Sequence, residues 1–172
     1  MEDNKKGPRF NVFSKLIKME LSKVNLCEDG TPEEDRVSSF LSNPKFPAHM
    51  SGLSSDLFYK CSGKKMRFGA GTYEEYSQFK NHLSMVAGFE KIEDLLKSGG
   101  PVYFIELINF SNEEGTIGPI ICKKLHNDFM DNYNLAEKYF SNLDDHEKFW
   151  THYKNWCKAL FVASHNGAIM IN

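Results

Sequence analysis

Neither a cysteine pair nor a histidine pair spaced for metal occurs in this chain. Cys27, Cys61, Cys122 and Cys157 stand far apart with no Cys-x-x-Cys, which excludes the common zinc and redox motifs and reads as reduced thiols packed as small apolar residues. His49, His82, His126, His146, His152 and His165 include no His-x-x-x-His, so no metal and no cofactor is expected. No serine lies in a Gly-x-Ser-x-Gly elbow, and hydrolase chemistry has no motif to rest on. Also missing is any apolar run near the roughly 18 residues of a membrane span. The charged opening Met1-Glu-Asp-Asn-Lys-Lys reads as a frayed terminus and not as a targeting segment. No internal repeat, low-complexity tract or linker is found. Basic excess is absent as well: 21 Lys and Arg against 23 Asp and Glu give a formal charge of −2, which leaves no footprint for duplex nucleic acid. These features point to a cytoplasmic, non-membrane protein.

What is plentiful is aromatic. Fourteen Phe, 7 Tyr and 2 Trp in 172 residues imply a bulky core or a ring-lined pocket, the core being the commoner explanation. A length of 172 residues suits one domain able to bury that core without staples.

The stretch at 67–88 organises the chain. A short apolar approach ends in Gly69-Ala70-Gly71, and Thr72 is followed three residues later by Glu75. That spacing is a capping box, in which hydroxyl and carboxylate satisfy each other's backbone amides. A helix follows with Tyr73, Tyr76, Phe79, Leu83 and Val86 on one face, Lys80 and Ser84 on the other, and Gly88 as its left-handed end. Two residues without bulk before a helix start let an anionic or polar ligand approach the backbone. As a lone Gly-x-Gly it lacks the third glycine of a dinucleotide motif and the Gly-Lys-Ser/Thr of a phosphate loop, and a tight strand-to-helix turn explains it equally.

Elsewhere the spacing predicts a helix over 9–24, with Phe10, Val12 and Phe13 fitting a strand as well, and a second capping box at Thr31 and Glu34 opening a helix to Ser42. Residues 43–47, with two prolines, read as a loop. Residues 57–61 and 65–68 read as a hairpin. Ile92 to Leu96 reads as one or two helical turns, and 102–110 as the strongest strand, carrying Glu106 in apolar surroundings. Gly118-Pro119 opens a long helix loosened at Asn132 and Asn134. A last helix starts after Asp144 or Asp145 and ends at His165-Asn166-Gly167, with Gly167 turning left-handed, and 168–171 closes as a strand. The expected fold is therefore a single α+β domain over 1–172, a small, mostly antiparallel sheet packed by four to five helices.

Binding groups collect on loops at strand ends. The candidate ligand-binding residues are Gly69, Gly71, Thr72, Tyr73 and Tyr76 at the first turn and Asn109, Ser111 and Glu113 at the acidic turn 109–115. If the two turns face each other they form a cleft in which Thr72 and nearby amides hold an anion, a tyrosine stacks on a ring, and the second turn reads polar edges. A non-enzymatic binder of a small polar or nucleotide-like ligand is the first expectation. Others are an inhibitor that binds a host protein through exposed aromatics, and a hydrolase using Glu106 or Glu113 with His126. Glu106 reads equally as one half of a structural ion pair. Pairing of the last strand across a homo-oligomer stays open.

The stretch Phe68-Gly-Ala-Gly-Thr-Tyr-Glu-Glu-Tyr-Ser-Gln-Phe-Lys-Asn-His-Leu83, then Glu106-Leu-Ile-Asn-Phe-Ser-Asn-Glu-Glu-Gly-Thr-Ile-Gly-Pro119, and Lys-Leu-x-x-Asp-Phe at 124–129, together resemble a family of uncharacterised bacteriophage and bacterial proteins. The resemblance spans roughly 51–172, with the ending His165-Asn-Gly-Ala-Ile; residues 1–50 have no counterpart. The family pattern has Ser where Thr72 stands and often Asp where Asn112 stands, and loss of that acid weakens a carboxylate mechanism. The resemblance implies a phage-encoded product inside an infected bacterium that binds a host factor, with counter-defence proteins that take nucleotide signals as one such class.

Overall fold

The first and last strands of the chain lie side by side. In the computed structural model, which describes residues 7–110 and 112–171, β1 (Arg9–Phe13) pairs antiparallel with β7 (Ala168–Ile171), Phe10 opposite Ile171 and Phe13 opposite Ala168. On its other edge β1 pairs with β5 (Lys65–Gly69), and β7 pairs with the short β6 (Thr116–Ile117). The order is β5-β1-β7-β6. A second antiparallel sheet has β4 (Phe58–Cys61) between β2 (Leu16–Lys18) and β3 (Val37–Ser39).

Residues 9–24 are thus not a helix. In β1, Phe10 and Val12 enter the main core, while Phe13 on the opposite face enters a second cluster with Leu16, Phe40, Tyr59 and Cys61. Phe13 interrupts the period of two set by Arg9, Phe10, Asn11 and Val12 and continues a helical spacing into Ile17 and Leu21. The predicted hairpin of 57–68 is corrected too. Both strands form, but β4 pairs with β2 and β3, while β5 pairs with β1. Two bent ribbons therefore pass from one sheet to the other. Their bends are stitched by the Ser14 amide donating to Lys64 O (3.0 Å) and the Lys64 amide donating to Ser14 Oγ (2.7 Å). Nor does Thr31 cap a helix. Its amide and hydroxyl both donate to Asp29 Oδ1 (2.9 and 2.6 Å), Glu34 pairs with Lys60 at 3.1 Å, and the chain runs on into β3. A local Asx turn has taken the hydroxyl that the cap needed.

Six α-helices are found among the described residues. α1 (Tyr73–Val86) begins in the predicted capping box and ends with Gly88 at φ 91°. α2 (Ile92–Lys97) follows. The run at 102–110 forms no strand: Phe104 is left-handed (φ 64°) and α3 (Ile105–Ile108) is a single helical turn. Asp128 accepts the Phe104 amide at 2.9 Å, and Phe104, Leu107 and Phe110 are buried in the main core. Tertiary packing and one carboxylate override the strand propensity of this stretch. α4 (Pro119–Asp131) and α5 (Tyr133–Phe140) divide at Asn132, whose Nδ2 donates to Asp128 O at 2.9 Å. α6 (His146–Ala163) brings Trp156, Tyr153 and Phe149 onto the sheet and the neighbouring helices. Asp145 is its N-cap residue, but its carboxylate turns to Lys148 at 3.4 Å.

Phe10 sits at the centre of the aromatic packing, 4.9 Å from the Trp156 ring and 5.6 Å from that of Tyr76, both edge-on. The result is one compact α+β domain. No helix among the described residues is long and apolar enough to cross a membrane.

At the end of α6 the left-handed residue is Asn166 (φ 52°), not Gly167. Asn166 stays because its side-chain amide donates to Leu16 O at 2.9 Å and its carbonyl accepts the Leu16 amide at 2.8 Å. Gly167 is required for a different reason: a Cβ there would lie 1.9 Å from Phe13 O. Gly167→Ala is expected to destabilise the fold by about 3 kcal/mol or more, since backbone must shift. Asn166→Gly should stay within about 1 kcal/mol, trading a hydrogen bond for relief of the left-handed strain. Urea unfolding of both variants checks the contrast.

Candidate functional site

The glycine turn is built as the sequence predicts and is already occupied from within. Thr72 N donates to Glu75 Oε2 at 2.8 Å, and Glu75 N donates to Thr72 Oγ1 at 3.1 Å. The Thr72 amide, aided by Lys148 at 3.4 Å, holds the Glu75 carboxyl below its ordinary range against the opposing effect of burial. Gly71 has φ 79°, and a Cβ on it would sit 2.4 Å from Glu75 Oε2. Its carbonyl packs on Gly7, where an added Cβ would be 1.7 Å away. The negative group seated at this helix start is therefore the chain's own glutamate. Tyr73 is half exposed, whereas Tyr76 is fully buried, its hydroxyl without a partner among the described residues and its pKa raised by burial.

Two turns further along α1 stands Lys80. Sequence periodicity puts it on the outer face, yet it is buried. The Lys80 ammonium donates to Phe110 O at 2.5 Å and to Asn112 Oδ1 at 2.8 Å, and lies 4.5 Å from the centroid of the Tyr76 ring. Burial pushes its pKa down to about 8, since an ammonium with uncharged hydrogen-bond acceptors loses more hydration than it regains. Around it lies a cavity of about 460 Å³, bordered by Asn43 and Phe46 on one side and by Asn109, Asn112 and Glu113 on the other. Asn43 is fixed by accepting the Lys45 amide at 2.9 Å. Gly115, at φ 125°, comes close enough that a Cβ would sit 3.2 Å from that of Asn43. The Phe46 ring lies parallel on His49 at 5.1 Å. His49 is buried, its Nδ1 has no partner among the described residues, and burial lowers its pKa against the pull of the Glu106 charge.

The two predicted turns therefore do not border this hollow together. Asn109 and Glu113 line it, Tyr76 touches it only through Lys80, and Ser111 lies outside the described residues. Gly69 lines a different, smaller hollow. Gly71, Thr72 and Tyr73 line neither. The opposing wall comes instead from the loop at 43–46, whose Asn-Pro-x-x-Pro sequence signals only a break in regular structure. Lys80 escapes sequence reasoning because a lysine four residues from a buried tyrosine normally reads as solvated. Its position in the i, i+4 row of Tyr76 and Ser84, both buried, was the available signal.

Glu106 is one arm of an ion-pair cluster. Lys124 Nζ lies 2.7 Å from Glu106 Oε2 and 2.7 Å from Asp128 Oδ2, and donates to Val102 O at 3.2 Å. Burial pulls the Lys124 pKa down, but the hydrogen bonds to Asp128 and Glu106 outweigh it and hold it above its ordinary value. The cluster fastens the 102–106 segment to α4. His126, two residues from Lys124, projects from a different side of α4 toward the Phe161 ring at 5.6 Å. Glu106 and His126 are thus not brought together as an acid and base.

Comparison with protein-family models, with curated proteins and with solved structures gives no match. Thr72→Ala should cost about 1 kcal/mol of stability in chemical denaturation, the usual loss of an N-cap, and should leave the affinity of any ligand bound at Lys80 unchanged. A loss of affinity larger than the loss of stability would place the helix start in the site.

Proposed function

We propose that this chain is a non-enzymatic binding protein that takes a small, polar, nucleotide-like ligand between the 43–46 loop and the 108–114 turn. The observation that carries the reading is the buried Lys80 ammonium bordering the cavity. An anionic group entering the cavity adds a charged acceptor to a cation now held by a carbonyl, an amide oxygen and a ring face, and hydrogen bonds between charged groups are the stronger kind. Amide side chains at Asn43, Asn109 and Asn112 offer donors and acceptors around the rim. Phe46, backed by His49, supplies a face for a flat ring. Glu113 also lines the cavity. A volume of about 460 Å³ falls within the range of small-molecule sites. Taken with the likeness to phage-encoded proteins, the role is sequestration of a nucleotide signal in an infected bacterium.

Calorimetry against mononucleotides, dinucleotides and cyclic oligonucleotides tests this. One class should bind saturably, and Lys80→Met should weaken it about tenfold or more, the loss of one charged hydrogen-bonding partner. Silence across the panel, or equal binding by Lys80→Met, would overturn the reading. In that event the inhibitor of a host protein becomes the reading to pursue.

A further inference from the structure

The smaller hollow lies on the outer pair of strands of the four-stranded sheet. Arg9 on β1 stands opposite Gly69 on the edge strand β5, and Asn11 stands opposite Arg67. Alternate residues of a strand share a face and cross-strand partners project the same way, so Arg9, Asn11 and Arg67 emerge together. Gly69 leaves a gap in that row, since a Cβ there would meet nothing within 4 Å. These residues line a cavity of about 270 Å³. Arg9 and Arg67 are exposed, diagonal neighbours across the strands, and neither has an ion-pair partner among the described residues. Asn11 differs from both. It is only 5% exposed, and its Oδ1 has no hydrogen-bond partner among the described residues.

Two guanidinium forks without ion-pair partners among the described residues flank an open gap. We propose that this hollow binds the phosphate group of a small phosphomonoester. One fork already saturates a planar carboxylate, whereas a tetrahedral phosphate has oxygens enough for both forks. The rest of the ester leaves past Gly69, where no side chain stands in the way. This site is separate from the Lys80 cavity and stands or falls independently of it.

The test is calorimetry and ³¹P NMR of the full chain with ribose 5-phosphate and with inorganic phosphate, using chloride as the ionic-strength control. Ribose 5-phosphate should bind saturably and more tightly than inorganic phosphate. Arg9→Gln and Arg67→Gln should each raise its Kd about tenfold, the loss of one charge-assisted pair. Both arginines are exposed, so the unfolding midpoint should not move. Gly69→Val, which fills the gap without removing a charge, should also abolish binding, and Lys80→Met should not affect it. Inorganic phosphate bound as tightly as the ester would overturn the assignment to an ester. Absence of saturable binding by either, or a Kd unchanged in both arginine variants, would overturn the site.

Discussion

A single buried ammonium joins the helical layer to the turn that follows α3. Lys80 is held from three directions, by the Phe110 carbonyl, the Asn112 side chain and the Tyr76 ring. Each contact answers a need. Phe110 O gains a charged donor in a place with little water, and the Asn112 amide is tied to the core. Charged hydrogen bonds of this kind contribute about 1.5–3 kcal/mol each, against a desolvation cost of several kcal/mol for the ion. The balance is close, which is why burial drives the lysine pKa down to about 8 and does not exclude the charge altogether.

The height of Lys80 on its helix is set at the helix start. The Thr72–Glu75 box decides where α1 begins, and two turns later the same face carries Tyr76, Phe79, Lys80, Leu83 and Ser84 inward. Tyr76 meets Phe10, and Phe10 meets Trp156, so α1 is aligned on β1 and α6 through one aromatic group. β1 owes its place to β7, the last strand, on one side and to β5 on the other. The chain therefore closes on itself, and a row of polar residues, Arg67, Asn11 and then Thr116 beyond Met170, crosses the sheet on the face opposite Phe10.

Legibility in the sequence follows how local each determinant is. The capping box, the left-handed Gly88, the Pro119 helix start, the break at Asn132 and the closing strand are encoded within a few residues, and all of them are found. What escapes is decided at long range. Residues 9–13 read as helix because Phe10 and Phe13 continue at helical spacing into Ile17, Leu21 and Val24, and the short alternation Phe10, Val12 is broken by Phe13. Residues 102–110 read as strand because nothing nearby reveals that Asp128, 24 residues on, holds Phe104 left-handed. At the candidate site Asn109 and Glu113 were legible as turn residues, but Lys80 and the 43–46 wall come from separate parts of the chain, and the i, i+4 row that marks Lys80 as inward is outweighed by the usual solvation of a lysine.

The protonation of Lys80 is the most direct measure of this arrangement. Side-chain ¹⁵N NMR across a pH titration should show its ammonium half-deprotonated near 8, where the ordinary lysine value is 10.5. Between those two values the unfolded chain binds this proton more tightly than the folded chain, so the contribution of Lys80 makes stability rise with pH through that window. An ordinary lysine titration, with no proton-exchange protection of the ammonium, would contradict a buried cation holding the turn and with it the site built around that cation.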